Sequence, residues 1–161
     1  MKKIKNWLDL ILFIAASILI FVLVIGAIWQ VFTRFVLQDP SIITQELMRF
    51  SLIWLAMIGS AYAFGHDAHL SFGIFKDKVK GRARIWLFTA IDLAVIGFTL
   101  FVLVIGGYII ASATMAELSP MLGVPMGYIY SILPISGLFI LFYEINNLIN
   151  RKPVSTEKGE V

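Results

Sequence analysis

Four long apolar stretches run through the chain, and short polar segments separate them. The stretches cover about residues 10–32, 47–64, 85–110 and 128–149. Each is close to the length of about 20 apolar residues that a helix needs to cross a bilayer core of about 30 Å. The pattern therefore predicts an all-α integral membrane protein with four transmembrane helices, which form one domain over residues 1–150.

The first apolar stretch has one alternative interpretation, the core of a secretory signal peptide. A signal core has roughly 7 to 15 apolar residues and is followed by a cleavage site of small residues. The run from Leu10 to Phe32 is longer, and no such site precedes Arg34. We therefore predict that this stretch is retained as the first transmembrane helix.

Basic residues are distributed unevenly among the polar segments. Three precede the first stretch, five lie between the second and third, and three follow the fourth, so eleven of the 13 lysines and arginines fall on one side. Positive charge stays on the cytoplasmic side of a membrane, so both termini are predicted to be cytoplasmic. The eleven residues are Lys2, Lys3, Lys5, Lys76, Lys78, Lys80, Arg82, Arg84, Arg151, Lys152 and Lys158.

The segment from His69 to Val79 interleaves apolar and basic residues. This pattern is typical of a short amphipathic helix in the membrane interface, with its basic side toward the headgroups. Lys76, Lys78 and Lys80 would anchor it there, whereas a plain basic loop that only sets topology is the alternative. The polar tail over residues 151–161 is predicted to be disordered.

The overall composition agrees with lipid as the main solvent of the chain. Of its 161 residues, 60% are hydrophobic and 14% are charged, more apolar surface than a soluble domain of this length could bury. Cysteine is absent, which excludes disulfides and thiolate metal sites. The net charge of +3 does not indicate nucleic-acid binding, because the basic residues lie between apolar stretches as topology requires.

Glu46 and Arg49, at the start of the second apolar stretch, are the first candidates for a functional site. They are three residues apart and therefore share a helix face. Charges at the rim of a membrane helix are costly unless they meet a partner. One interpretation is a pair satisfied by its own members, with Thr44 as the helix N-cap. The other, compatible with the first, is contact with a partner protein.

Trp54 lies well inside the second stretch, away from the membrane interfaces that tryptophan prefers. Its ring N–H needs a partner, so Trp54 faces either another protein or the chain's own helices. Gly59 belongs to a stripe of small residues, which allows helices to approach closely. The members of the stripe are Ala56, Gly59, Ser60 and Ala63.

Three further ionisable residues lie in or beside the apolar stretches. His66 and His69 lack a third nearby ligand, so we predict headgroup contact or helix capping rather than a metal site. Asp92 lies about two turns inside the third stretch. A carboxylate in a membrane is a functional candidate by default, but structural pairing with Arg84 is the favoured role.

Motifs of catalysis and ion coupling are missing from the sequence. It contains no nucleophile–base arrangement, no phosphate-binding loop and no HExxH motif. It also lacks the internal repeat and the midplane polar site between broken helices that secondary transporters use, apart from Pro134 inside the fourth stretch. We therefore predict a protein that is not an enzyme, that holds no cofactor or metal, and that supports a partner.

The order and spacing of these residues resemble the small membrane subunit of tripartite ATP-independent periplasmic (TRAP) transporters, the DctQ family. The family pattern has an acidic pair, an arginine three residues after the second acid, and then tryptophan, glycine and a histidine followed by an apolar residue. It is matched by Gln45-Glu46, Arg49, Trp54, Gly59 and His69-Leu70. A second block resembles the family at Ser119-Pro120, Gly123, Pro125, Tyr130 and Pro134. Gln45 replaces the first acid, which leaves Glu46 as the residue to test.

This resemblance, which covers nearly the whole chain, implies a function. Such subunits work with a large membrane subunit and with a periplasmic binding protein that captures an organic acid, such as a sialic acid or a C4-dicarboxylate. The large subunit, here expected to be a separate chain, holds the substrate and sodium sites and moves the acid across the bacterial inner membrane by sodium symport. The small subunit resembles a scaffold that anchors the large one and helps to dock the binding protein.

The resemblance also assigns roles to residues. The outer connections, residues 34–44 and 113–127, would face the binding protein. The candidates for partner contact are Glu46, Arg49, Trp54, Arg34 and Glu117. The candidates for structural or anchoring roles are Thr44, Gly59, His69, Asp92, Pro134, Lys76, Lys78 and Lys80. The alternative is a small four-helix drug or proton exporter acting as a homodimer; such exporters carry an essential glutamate in their first span, which this chain lacks.

Overall fold

The first two membrane crossings are single, uninterrupted helices. The computed structural model describes residues 2–65 and 82–150, and helices α1 and α2 make up almost all of the first part. Helix α1 spans Lys2–Phe35, and helix α2 spans Ile42–Gly65. Both helices extend beyond the predicted apolar stretches, because hydropathy marks only the lipid-facing centre of a crossing and the helix continues into polar residues at its ends.

The third and fourth crossings are each interrupted. The third consists of α3 (Arg82–Phe98), a π-helical segment (Thr99–Gly106) and α4 (Gly107–Ala113). The fourth consists of α5 (Met126–Tyr130) and α6 (Ile132–Asn150), with a break at Ser131. Proline has no backbone N–H, so Pro134 cannot donate to the carbonyl of Tyr130, and the helix is broken at that point.

All four crossings are long and apolar enough to span a membrane, which confirms the all-α integral membrane fold. The candidate spans are Lys5–Phe35, Ile42–Gly65, Thr89–Ala113 and Met126–Leu148. The predicted interfacial helix, with His69, Lys76, Lys78 and Lys80, lies outside the described residues, as does the predicted disordered tail. Those assignments stay predictions.

Two connections, residues 36–41 and 114–125, lie at one end of the bundle, here called the loop end. The opposite end, here called the terminal end, contains the start of α1, the end of α2, the start of α3 and the end of α6. At the terminal end the hydroxyl of Tyr143 donates a hydrogen bond of 2.6 Å to the carboxylate of Asp9. This bond joins α6 to α1 across the end of α2.

Helix α2 is capped by Ser41 rather than by the predicted Thr44. The backbone N–H of Thr44 donates to Oγ of Ser41 at 3.4 Å, and the two hydroxyl oxygens are 2.8 Å apart. An N-cap oxygen accepts from the backbone two or three residues later, which is the position of Thr44 relative to Ser41. The helix therefore begins at Ile42, five residues earlier than the apolar stretch.

The helices pack in the spatial order α1, α2, α6 and third crossing. The shared core consists of Leu12, Ile58, Ala61, Ile132, Ile140 and Tyr143. Between α6 and the third crossing, two glycines allow close approach. A Cβ atom on Gly107 would lie 2.9 Å from Cδ of Pro134, and one on Gly137 would lie 2.9 Å from Cγ2 of Val104. Small residues permit such contact between membrane helices, and Pro134 is part of it.

Candidate docking site at the loop end

The connection between the third and fourth crossings folds into a compact loop. The N–H of Ser119 donates to the carbonyl of Val124 at 2.9 Å, and the N–H of Gly123 donates back to the carbonyl of Ser119 at 3.1 Å. Gly123 has a φ of +63°, a conformation that glycine adopts without steric cost. The N–H of Met126 closes the loop by donating to the carbonyl of Glu117 at 2.8 Å.

Glu46 holds this loop against α2. Its side chain is buried, and Oε2 accepts hydrogen bonds from the backbone N–H groups of Met121 and Leu122, both at 3.0 Å. Hydrogen bonds to a charged acceptor are stronger than neutral ones, and a buried carboxylate requires them. The carboxylate thus offsets its own burial and satisfies two donors of the loop. These contacts connect residues 75 and 76 positions apart in sequence.

Arg49 does not form the pair with Glu46 that one of the two interpretations of the sequence assumed. Within residues 2–65 and 82–150 the Glu46 carboxylate bonds to the loop, and no ion pair with Arg49 is present, while Arg49 is exposed on the side of α2. Residues three apart on a helix differ by about 60° around its axis, which is enough to turn one inward and the other outward. Arg49 is therefore presented to the surroundings of the bundle.

Through its ring, Trp54 forms a hydrogen bond within the chain, to the fourth crossing. Its ring N–H donates to the carbonyl of Ile129 in α5 at 3.1 Å, and the side chain is half-buried. Ile129 lies two residues before the break at Ser131, where the regular helical hydrogen bonding is interrupted. This contact supplies the partner that an indole N–H needs away from the interface and ties α2 to the fourth crossing.

Arg34 and Glu117, the other candidates for partner contact, are both exposed at the loop end. The guanidinium of Arg34 lies 6.0 Å from the ring centroid of Phe35, at the outer limit of a cation–π contact. Apolar side chains of the connection over residues 114–125 are also exposed, among them Leu118 and Met121. The loop end thus presents a mixed surface of isolated charges and apolar groups.

The candidates for structural roles differ in their surroundings. A Cβ atom added to Gly59 would meet nothing within 4 Å, so the close helix approach expected there is found at Gly107 and Gly137 instead. Asp92 is half-buried in α3. Its predicted pairing with Arg84 involves a side chain that the structure does not describe.

Comparison with known proteins agrees with this architecture. Residues 23–152 match the sequence model of the DctQ component of tripartite ATP-independent periplasmic transporters, which is well over half of the chain. The chain belongs to the DctQ family. It is similar to the sialic acid TRAP transporter small permease protein SiaQ of Vibrio cholerae, with 29% identity over 122 residues, 76% of this chain and 70% of that protein. A Haemophilus influenzae protein, provisionally named a TRAP transporter small permease, is 23% identical over 150 residues, 93% of this chain and 92% of the relative.

Family membership makes this chain the small membrane subunit of a TRAP transporter, a multi-pass protein of the inner membrane. The family implies a large membrane subunit and a periplasmic binding protein as partners.

Within the chain, the two sequence blocks that resemble the family meet in space, because Glu46 from the first block holds the loop from the second. Sequence reasoning treated the blocks separately and missed this contact. The sequence indicated this contact only indirectly. Glu46 lies at the edge of a membrane helix, where a carboxylate needs hydrogen-bond donors, and the loop over residues 114–125 contains glycine and proline turns with free backbone N–H groups.

Proposed function

We propose that this small subunit is the scaffold of a sodium-coupled TRAP transporter that imports an organic acid. It anchors the large transport subunit and helps to dock the periplasmic binding protein. The observation that carries this proposal is the bond between Glu46 and the loop, because it gives the loop end a fixed shape. A surface ordered before binding loses less conformational entropy when a partner docks.

The proposed orientation has both termini in the cytoplasm and the loop end in the periplasm. The support is the placement of eleven of 13 basic residues in the segments at the terminal end and in the tail, following the rule that positive charge stays inside. In this orientation Arg34 and Glu117 face the compartment of the binding protein. We assign these two residues to docking, together with the exposed apolar side chains of the loop.

The proposed contact with the large subunit involves Arg49 and the exposed part of Trp54. Arg49 lies about 4.5 Å further along α2 than Glu46, and Trp54 about 12 Å further, at 1.5 Å per residue. An exposed guanidinium at that depth is costly in hydrocarbon unless an anionic group meets it. Since the Glu46 carboxylate already accepts hydrogen bonds from the loop, we infer that the large subunit supplies the anionic group that meets Arg49.

The proposed substrate is a sialic acid, with a C4-dicarboxylate as the alternative. The relative from Vibrio cholerae is named for sialic acid, which supports the first choice. A cleft of about 550 Å³ between α2 and α3 is lined almost entirely by apolar side chains, which suits neither acid. We therefore assign substrate and sodium binding to the large subunit.

The first test is the composition of the complex that a tagged small subunit brings out of native membranes in mild detergent. We expect a one-to-one complex with a large many-spanning membrane protein, and reconstituted uptake of the acid that requires a sodium gradient and the binding protein. In Arg49→Ala less of the large subunit should co-purify, whereas Gln45→Ala, an exposed neighbour, should behave like the wild type. A homodimer without a partner would overturn the proposal and favour the exporter alternative.

A further inference from the structure

A cleft of about 550 Å³ opens on the side of the bundle between α2 and α3. Its lining is almost entirely apolar, and Ile140 of α6 contributes to it. It lies in the half of the bundle near the terminal end and is therefore separate from the loop end. One wall is formed by Met57, Ser60 and Phe64, and the other by Ala94, Val95 and Phe98.

The cleft exists because the third crossing is packed closely along only part of its length. Near the loop end it packs against α6 at Gly107 and Gly137, where an added Cβ atom would collide with its neighbours. The π-helical segment begins at Thr99, which is buried. Beyond this segment, a Cβ atom on Gly97 would meet nothing within 4 Å. On the side toward α2, residues of α3 and α2 line the open cleft instead of packing against each other.

A groove of this kind does not stay empty in a bilayer, because an unfilled void deprives its walls of dispersion contacts. One turn of a helix, with a pitch of 5.4 Å and a diameter of 10–12 Å, has a volume of roughly 420–610 Å³. The cleft thus holds about one turn, far less than a crossing helix of about 20 residues. A thin, flexible hydrocarbon chain can lie along the groove instead.

We propose that the cleft between α2 and α3 binds one acyl chain of a membrane phospholipid. The headgroup lies at the terminal end, where α2 ends at Gly65 and α3 begins at Arg82, with Arg84 in its first turn. Basic residues between membrane helices favour the phosphate of a lipid headgroup. The lipid fills the space between α2 and α3 and stabilises their separation. This proposal does not depend on the proposed docking function.

The test counts phospholipids on the full chain by native mass spectrometry, after reconstitution into nanodiscs of equal parts phosphatidylethanolamine and phosphatidylglycerol and transfer to detergent. We expect the wild type to retain one phospholipid. Ala94→Phe fills the cleft and should weaken lipid retention about tenfold, which corresponds to about 1.4 kcal/mol. Leu93→Phe is the matched control: Leu93 is 70% exposed, does not line the cleft and should retain lipid normally.

A second variant, Ser60→Phe, fills the cleft from the opposite wall and serves if Ala94→Phe does not fold. No retained lipid on the wild type, or equal retention in the wild type and both cleft variants, would overturn the proposal. Assembly is followed by co-purification of the large subunit from native membranes. If Ala94→Phe retains lipid normally but co-purifies with less of the large subunit, a partner helix occupies the cleft and the lipid proposal is overturned. Lipid binding and assembly are measured separately, so failure here leaves the docking proposal intact.

Discussion

The two halves of the bundle differ in how the third crossing meets its neighbours. At the loop end it is closed: Gly107 and Gly137 permit contact with α6, and Glu46 holds the following loop against α2. Toward the terminal end it is open, with a cleft between α2 and α3. One hydrophobic crossing therefore combines tight packing with an open cleft, because its packing changes where the helix geometry changes at Thr99–Gly106.

The largest effect should come from adding a single methyl group to the closed half. Gly107→Ala places a Cβ atom 2.8 Å from Cβ of Leu133 and 2.9 Å from Cδ of Pro134. Overpacking of a tight contact lowers the free energy of unfolding by about 1–3 kcal/mol. We expect a loss of about 3 kcal/mol here, because the rigid proline ring cannot move aside. Thermal unfolding in detergent measures it.

The matched control for that variant is Gly97→Ala, in the open half of the same crossing. A Cβ atom there meets nothing within 4 Å, and alanine is favoured over glycine inside a helix by roughly 0.5–1 kcal/mol. The control should therefore be slightly stabilised. Equal destabilisation of both variants would contradict the division of the crossing into a closed and an open half.

A smaller effect is expected where the loop is held to α2. Glu46→Ala leaves the N–H groups of Met121 and Leu122 without their acceptor, at a cost of about 2 kcal/mol. Hydrogen exchange at these two amides should accelerate strongly, while amides within α1 keep their protection. Gln45→Ala, which alters an exposed neighbour, should leave the loop amides unchanged. Unchanged exchange in Glu46→Ala would mean that the loop keeps its shape without the carboxylate.

The smallest effect concerns the link between α2 and the fourth crossing. Trp54→Phe keeps an aromatic ring but removes the hydrogen bond to the carbonyl of Ile129, which should destabilise the fold by about 1 kcal/mol. Trp29→Phe is a suitable control, because Trp29 is about half exposed on α1. If the two variants unfold at the same temperature, while only Trp54→Phe loses the large subunit, Trp54 acts through its partner and not through the fold.

Several parts of this molecule could be predicted from sequence because they depend on properties local to the chain. Hydropathy located all four crossings, and the spaced motifs from Gln45 to Leu70 and from Ser119 to Pro134 indicated the DctQ family, which the comparisons confirmed. The N-cap of α2 was misplaced at Thr44, because hydropathy does not mark the polar first turn of a helix. The pairing of Glu46 with Arg49 was wrong for a different reason: spacing along one helix says nothing about donors from another element.

The lipid environment of this protein, the number of its crossings and its family follow from the amino-acid sequence, because apolar length and motif spacing are set by residues close together in the chain. The donors that satisfy Glu46, the close contacts at the glycines and the position of the cleft depend instead on how the helices pack in space. Those features join residues as far apart as Glu46 and Leu122, and a buried group's partner depends on which elements pack beside it.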